Sequence, residues 1–260
     1  MNIGNQVSYL WEHYAPLFFK GVGVTLLLAI FGTIVGLIIG IGLALLRNLK
    51  VTSKDNLFVK CIKKFFSFLS LIYIQVFRGT PMMVQAMIIY FGGQLLGFPW
   101  NSIENGAIFI EGHLICGLVV ISINTAAYMA EIIRSGINAI DNGQIEGARS
   151  LGMNYFQTMV HIVIPQALKN SIPTIGNEFI VNIKDSSVLN VISVTELYMT
   201  VSIATTKNSF KVGGYVIIAC IYLILTLVIS QILKIVEKYL EDPESVKFWK
   251  KFRKEEVKNV

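Results

Sequence analysis

The sequence predicts an all-α integral membrane protein, with five transmembrane helices plus short helices at the membrane surface and in one loop. Three observations lead there. Hydrophobic residues make up 54% of the chain and charged residues only 15%, with a mean hydropathy of +0.63, well outside the range of soluble domains. Charge-free runs long enough to cross about 30 Å of hydrocarbon recur along it. Lysine and arginine gather on one side of those runs, the asymmetry that orients membrane proteins. A net charge of +6 would also suit nucleic acid, but eight of the 22 Lys and Arg lie between Lys234 and Lys258, directly after an apolar run. That placement fits a membrane-flanking tail and not a nucleic-acid partner.

The first twenty residues carry Val7, Leu10, Trp11, Tyr14 and Phe18 at helical spacing, with Lys20 their one Lys or Arg. A cleaved signal needs a basic start followed at once by an apolar core, so 1–20 reads as an amphipathic segment at the outer surface. The membrane domain then extends over 21–236. Gly21 to Leu46 is free of charge and long enough to span, and Gly32, Gly36 and Gly40 make a flat face for another helix. Arg47, Lys50, Lys54, Lys60, Lys63 and Lys64 follow, which puts this side in the cytoplasm and the N-terminus outside.

Phe65 to Phe77 is short for a span and is expected to lie on the inner surface. Arg78-Gly79-Thr80-Pro81 breaks the chain before a span from Met82 to Trp100. His113 to Ile133 is the third span, ending at Arg134. Beyond Pro165, a fourth apolar segment contains Pro173, Gly176, Asn177, Glu178, Asn182, Lys184, Asp185, Ser186 and Ser187. Each charge at mid-bilayer costs roughly 2.5–3.5 kcal/mol, so these groups must face protein or water. Gly213 to Val236 is the last span, and 237–260 is a basic cytoplasmic tail. Cys61, Cys116 and Cys220 are odd in number and far apart, which suggests packing residues.

Between the third and fourth spans lies a polar island, Gly143 to Pro165. Gln144 to Leu151 reads as a short helix, with Ile145, Ala148 and Leu151 on one face and Glu146 paired with Arg149. Gly152 supplies a left-handed stop. Asn154, with Gln157 three residues on, caps a second helix that Pro165 is expected to end. Neither helix is long enough to be stable alone.

The spacing Glu146-Gly147-Ala148, three residues, Gly152, nine residues, Ile162-Val163-Ile164-Pro165 resembles the EAA motif of ABC-importer permeases, with Gly147 for the second Ala and Ile164 for Leu. Val76 to Pro81 with Gln85, and Asn177-Glu178-Phe179 with Lys184-Asp185-Ser186-Ser187, are similar to the polar-amino-acid group of those permeases, which includes histidine, glutamine and arginine systems. The resemblance covers about Gly21 to Val236. It implies the type I importer permease fold and a multi-pass subunit of a bacterial cell membrane that works by alternating access.

The same resemblance implies four kinds of partner: two ATPase subunits docked on the 143–165 loop, an extracytoplasmic amino-acid-binding protein, a second permease subunit that is the same chain or a similar one, and the lipid bilayer. Glu146, Gly147, Ala148, Arg149 and Gly152 would couple to the ATPases. Asn177 and Lys184 share one helix face and Glu178 and Asp185 another. With Ser186, Ser187 and Gln85 they either line the solute path or fix the helix in a structural network. Arg78, Gly79, Thr80 and Pro81 are expected to be structural, with Arg78 neutralising a helix C-terminus and Pro81 opening the next helix.

The sequence has no Gly-x4-Gly-Lys-Ser/Thr loop and no His-Glu-x2-His. No cofactor or metal is expected, and ATP hydrolysis is assigned to a partner, so the chain itself is not an enzyme. A permease for another solute, or a membrane scaffold or sensor subunit, are the alternatives.

Overall fold

The computed structural model describes residues 1–49, 51, 55–98, 100–105 and 108–241. Its elements in chain order are α1 (Ile3–Arg47), α2 (Leu57–Gly79), α3 (Met82–Leu95), a small antiparallel hairpin of β1 (Ile103–Asn105) and β2 (Ile108–Ile110), then α4 (Gly112–Asn138), α5 (Asn142–Ser150) and α6 (Tyr155–Thr158). A π-helical turn, Met159–Val163, leads into α7 (Ile164–Asp185), which tightens into a 3-10 turn, Ser186–Ile192, before α8 (Leu197–Asn208) and α9 (Lys211–Glu241). The expected tail lies outside the described residues from 242 onward.

Helix α1 has 45 residues, about 68 Å at 1.5 Å per residue and more than twice the hydrocarbon thickness. It replaces the expected pair of a surface segment 1–20 and a separate span. Asn2 caps it by accepting from the Asn5 N–H, and Pro16 removes one intrahelical hydrogen bond without ending the helix. The apolar stripe of the first twenty residues faces protein, with Leu10 and Phe18 buried against Leu197, Val201 and Ile217 of α8 and α9. A stripe that covers neighbouring helices has the same periodicity as one that lies on lipid.

The Gly32, Gly36 and Gly40 face does receive a helix, α4. A methyl in place of the Gly36 hydrogen would lie 2.8 Å from Thr125 Cβ, and one at Gly40 would lie 2.6 Å from Met129 Cβ. The two backbones meet closely because nothing projects between them.

Phe65 to Phe77 belongs to a longer helix than the apolar run alone suggested. It is the body of α2, which stands beside α1 and α4. Ser70 Oγ donates to Leu43 O (2.8 Å) and Tyr73 Oη to Ile123 O (2.8 Å). The chain breaks at Thr80-Pro81, level with the middle of α4, and α3 continues upward. There Tyr90 Oη meets His113 Nδ1 at 3.3 Å, one residue after α4 begins.

The 23-residue α2 and the 14-residue α3, the second too short to span alone, thus traverse the length of α4 together. The break is made tolerable by Gln85, whose Nε2 donates to Phe77 O, Thr80 O and Thr80 Oγ1, each at 2.9 Å. Its Oε1 accepts from Asn124 Nδ2 at 2.9 Å. Backbone freed at membrane depth must be satisfied internally, and this side chain does it.

Pro165 also behaves differently from expectation. It sits in the first turn of α7, where its missing N–H leaves no bond unmade, and the wider π turn carries the chain through. The α6–α7 rod then bends by 54° at Ser193, which is left-handed (φ 66°), before α8. By length and hydropathy, α1, α4 and α9 each suffice to cross a membrane, and the bent pair makes a fourth candidate.

Candidate functional site

Two features at one end and at mid-depth of the bundle bring the expected site residues together. At the end that carries Arg47, α4 stops and Asp141 begins α5 by accepting from the Gly143 N–H at 2.7 Å. Gly152 closes α5 in the left-handed region (φ 81°). Its N–H donates to Arg149 O (2.9 Å) and the Met153 N–H to Ala148 O (3.1 Å), the paired bonds of a Schellman stop. Asn154 and Gln157 then exchange side-chain and backbone hydrogen bonds, both 2.9 Å, in a capping box. Both expected caps are present, so the turn between the helices is fixed from both sides.

This turn is held to the bundle by Ile145, packed on Ile140, Met159 and Val163, and by the buried Ala148. Tyr155 Oη donates to Asn48 O at 3.1 Å, tying it to the end of α1. Burial raises the Tyr155 phenol above its ordinary pKa, against the pull of Arg149, so it remains a donor at neutral pH.

On the other side Glu146, Gly147 and Arg149 are exposed. Leu151 and Phe156 stand 84% and 73% exposed beside them. Large apolar side chains rimmed by charge, on a stiff turn outside the apolar spans, have the character of a protein-docking face. Glu146 and Arg149 are not within ion-pair distance among the described residues, so both charges are open to a partner. Nothing lies within 4 Å of a methyl placed at Gly147, so the departure from the usual Ala removes no packing within the bundle.

At mid-depth, Arg78, Tyr128, Glu131, Ser135, Thr174 and Glu178 line a cleft of about 410 Å³ between α2, α4 and α7. The Arg78 guanidinium lies 5.5 Å from the centre of the Tyr128 ring, a cation–π contact. Glu131 is held by Arg134, with Nε to Oε2 at 3.0 Å. Arg78 and Asp185 both lie within electrostatic reach of Glu178. Arg78 is in the last turn of α2, as expected, and it also faces the cleft.

The other expected residues separate from it. Gln85 is buried in the α2–α3 break. Ser186 Oγ donates to Ile183 O and Ser187 Oγ to Lys184 O, at 2.9 and 2.7 Å, closing the end of α7. Asn177 and Lys184 are exposed on α7. Gly79, Thr80 and Pro81 form the break itself.

Residues outside the expected site set also hold the arrangement; sequence reading marked Asn182 only as a polar residue of the fourth segment and did not single out Glu196. Asn182 joins three helices, accepting from Thr125 Oγ1 and donating to Thr33 Oγ1, each at 2.9 Å. Glu196 is fully buried; it caps α8 through the Met199 N–H (3.0 Å) and accepts from Tyr222 Oη (2.7 Å) and Thr25 Oγ1 (3.2 Å). Glu131 with Arg134, three apart in an apolar helix, was the one local signal for the cleft wall. The partners of Asn182 and Glu196 are distant in sequence and leave no such signal.

Comparison with known proteins agrees with this architecture. A family profile described as "Binding-protein-dependent transport system inner membrane component" matches residues 60–242. The chain is 34% identical over 234 residues to the putative glutamine transport system permease protein GlnP of Rickettsia conorii, covering 89% of this chain and 97% of that one. It is 35% identical over 227 residues to the arginine transport system permease protein ArtQ of Bacillus subtilis, covering 87% and 93%.

Among solved structures, an amino acid ABC transporter crystallised with histidines superposes with a TM-score of 0.73 at 34% identity, covering 92% of this chain and 98% of that one. The inward-facing MetNI methionine ABC transporter matches with a TM-score of 0.66 at 18% identity, over 89% and 99%, a likeness of fold alone. With the profile spanning most of the chain and relatives matched nearly end to end, this protein belongs to the family of binding-protein-dependent transport system inner membrane components.

Proposed function

We propose that this chain is the membrane subunit of an ATP-driven importer that moves a polar amino acid into the cytoplasm. Two such subunits, identical or similar, pair in the cell membrane with their N-termini outside and C-termini inside. Five passages fit this reading, three of them the continuous helices α1, α4 and α9 and two of them broken, α2–α3 and α6–α8. The observation that carries it is the docking face of Glu146, Arg149, Leu151 and Phe156, rigid through its two caps and continuous with the helix that bears Glu178.

In this reading two ATPase subunits seat on that face, and ATP hydrolysis takes place on them. When they close, α5 is displaced and the push travels through α6 and the π turn into α7. Asn182 passes it to α1 and α4, so the helices around the Arg78–Glu178 cleft move as near-rigid bodies and expose the cleft alternately to each side. The Arg78 guanidinium and the Glu131 and Glu178 carboxylates that line that cleft suit the opposite charges of an amino acid. Glu178, with Asp185 in electrostatic reach behind it, would face its ammonium, and Arg78 its carboxylate. The names of the relatives, glutamine and arginine permeases, support the solute class.

The test is ATP hydrolysis by the chain reconstituted with its ATPase. Hydrolysis that rises severalfold when a binding protein loaded with glutamine or arginine is added supports the proposal. Hydrolysis indifferent to both would favour a scaffold or sensor role.

A further inference from the structure

At the end of α4 opposite the docking face, a second cleft of about 270 Å³ opens between α1, the start of α4 and the α7–α8 bend. It is smaller than the roughly 300–1,000 Å³ of drug-sized pockets, a volume for a small solute. Lys20 of α1 and Glu111 at the start of α4 both line it, with Thr195 and Thr200 between them and Leu17 and Val24 as apolar wall. Both charges are exposed.

Lys20 and Glu111 are not within ion-pair distance of each other among the described residues. Glu111 accepts only one side-chain hydrogen bond there, from Thr195 Oγ1 at 3.2 Å. Although Glu111 stands at the N-cap position of α4, its carboxylate makes no capping bond; it is turned toward the cleft.

A single ion would compensate one of these charges and oppose the other. A molecule carrying an ammonium and an anionic group a few ångströms apart satisfies both. We propose that this cleft is a zwitterion site, with Glu111 receiving the ammonium and Lys20 the anionic group. On the importer reading above, the zwitterion is the α-ammonium and α-carboxylate of the incoming amino acid. The cleft then acts as a first holding place on the outer side, distinct from the Arg78–Glu178 cleft. Thr195 lies between left-handed Ser193 and buried Glu196, so an occupant touches the bend itself. A phosphoethanolamine lipid headgroup carries the same two charges, and the test separates the two sources.

The experiment is uptake of labelled glutamine and arginine by the full complex in vesicles, with binding protein titrated to saturation, for the unmodified chain, Lys20→Gln, Glu111→Gln and the exchanged pair Lys20→Glu with Glu111→Lys. Each single variant is expected to lower uptake about tenfold. The half-saturating concentration of binding protein should stay the same, and the exchanged pair should recover to within about threefold, since a zwitterion can bind reversed.

Wild-type uptake by both single variants would overturn the site while leaving the importer standing. So would a loss that the exchanged pair fails to recover and that appears as weaker binding-protein docking. No uptake of either amino acid by the unmodified complex would overturn the importer reading, and this site with it. Vesicles of phosphatidylcholine and phosphatidylglycerol should give the same variant pattern as vesicles containing phosphatidylethanolamine. A pattern present only with phosphatidylethanolamine would assign the cleft to lipid.

Discussion

Replacing Gly40 by Ala tests the packing on which the bundle rests. The new Cβ would lie 2.6 Å from Met129 Cβ, 2.9 Å from Ala130 N and 3.0 Å from Met129 C, where ordinary contact begins at 3.4 Å. Two of those three atoms are backbone, so no rotamer change relieves the clash. The helices must part by about 0.8 Å at this point, the difference between 3.4 and 2.6 Å. Overpacking of this kind costs roughly 1–3 kcal/mol, against which Ala returns up to about 1 kcal/mol of helix propensity. With that return in full, the net expectation is a loss of up to about 2 kcal/mol.

Gly42, two residues on, has nothing within 4 Å of a methyl placed there. Gly42→Ala keeps the propensity gain and incurs no clash, which makes it the internal control. Thermal unfolding of the purified chain in mild detergent should place Gly40→Ala several degrees below wild type, at about 2–4 °C per kcal/mol for a chain of this size. Gly42→Ala should melt at or slightly above wild type. If Gly40→Ala were as stable as Gly42→Ala, the close approach of α1 and α4 would be wrong.

Gly152→Ala forces a side chain into the left-handed region at about 1–2 kcal/mol; the protein should still insert, with binding-protein stimulation of ATP hydrolysis reduced severalfold, and unchanged stimulation would remove Gly152 from the coupling path. Tyr222→Phe removes a hydrogen bond to buried Glu196 without opening a cavity. Its melting temperature should fall by the equivalent of about 1.5–3 kcal/mol, and an unchanged melt would show that Thr25 and the α8 backbone suffice. Glu178→Gln and Asp185→Asn should each depress amino-acid uptake, and normal uptake with unchanged selectivity would move both residues into a structural role.

What the sequence makes legible here is local. Charge-free runs announced α1, α4 and α9, the four-residue glycine period announced a close helix contact on α1 without naming its partner, and Gly152, Asn154 and Gln157 announced the two caps of the α5–α6 turn. Each of these is read from neighbours a few residues apart. The break at 78–81 was legible too, but the joining of α2 and α3 across it escaped because its tolerance depends on Gln85 meeting Asn124, 39 residues away. Lacking that partner, the short run before Arg78 looked fit only for a membrane surface.

The partners of the first twenty residues were hidden for a related reason. An apolar stripe records that something covers it, and here α8 and α9 do so, which periodicity does not distinguish from lipid. Pro165 was taken as a stop because proline disrupts an α-helix interior; the π turn before it makes its position a helix start. At mid-depth, Glu178 of the cleft and Asp185 two turns on stood out as charges in an apolar helix, whereas the Glu196–Thr25–Tyr222 cluster combines one acid with two ordinary polar residues from distant helices.

The measurement closest to the central claim is ATP-driven uptake of labelled glutamine and arginine by the reconstituted complex, compared between wild type and Glu146→Lys. Glu146 is exposed on α5 and its side chain has no ion-pair partner among the described residues, so the substitution is expected to leave the fold intact. If α5 transmits the ATPase stroke, wild type takes up amino acid only with ATP and loaded binding protein, and Glu146→Lys inserts normally but loses uptake. Full uptake by Glu146→Lys would contradict the coupling role of the 143–165 loop.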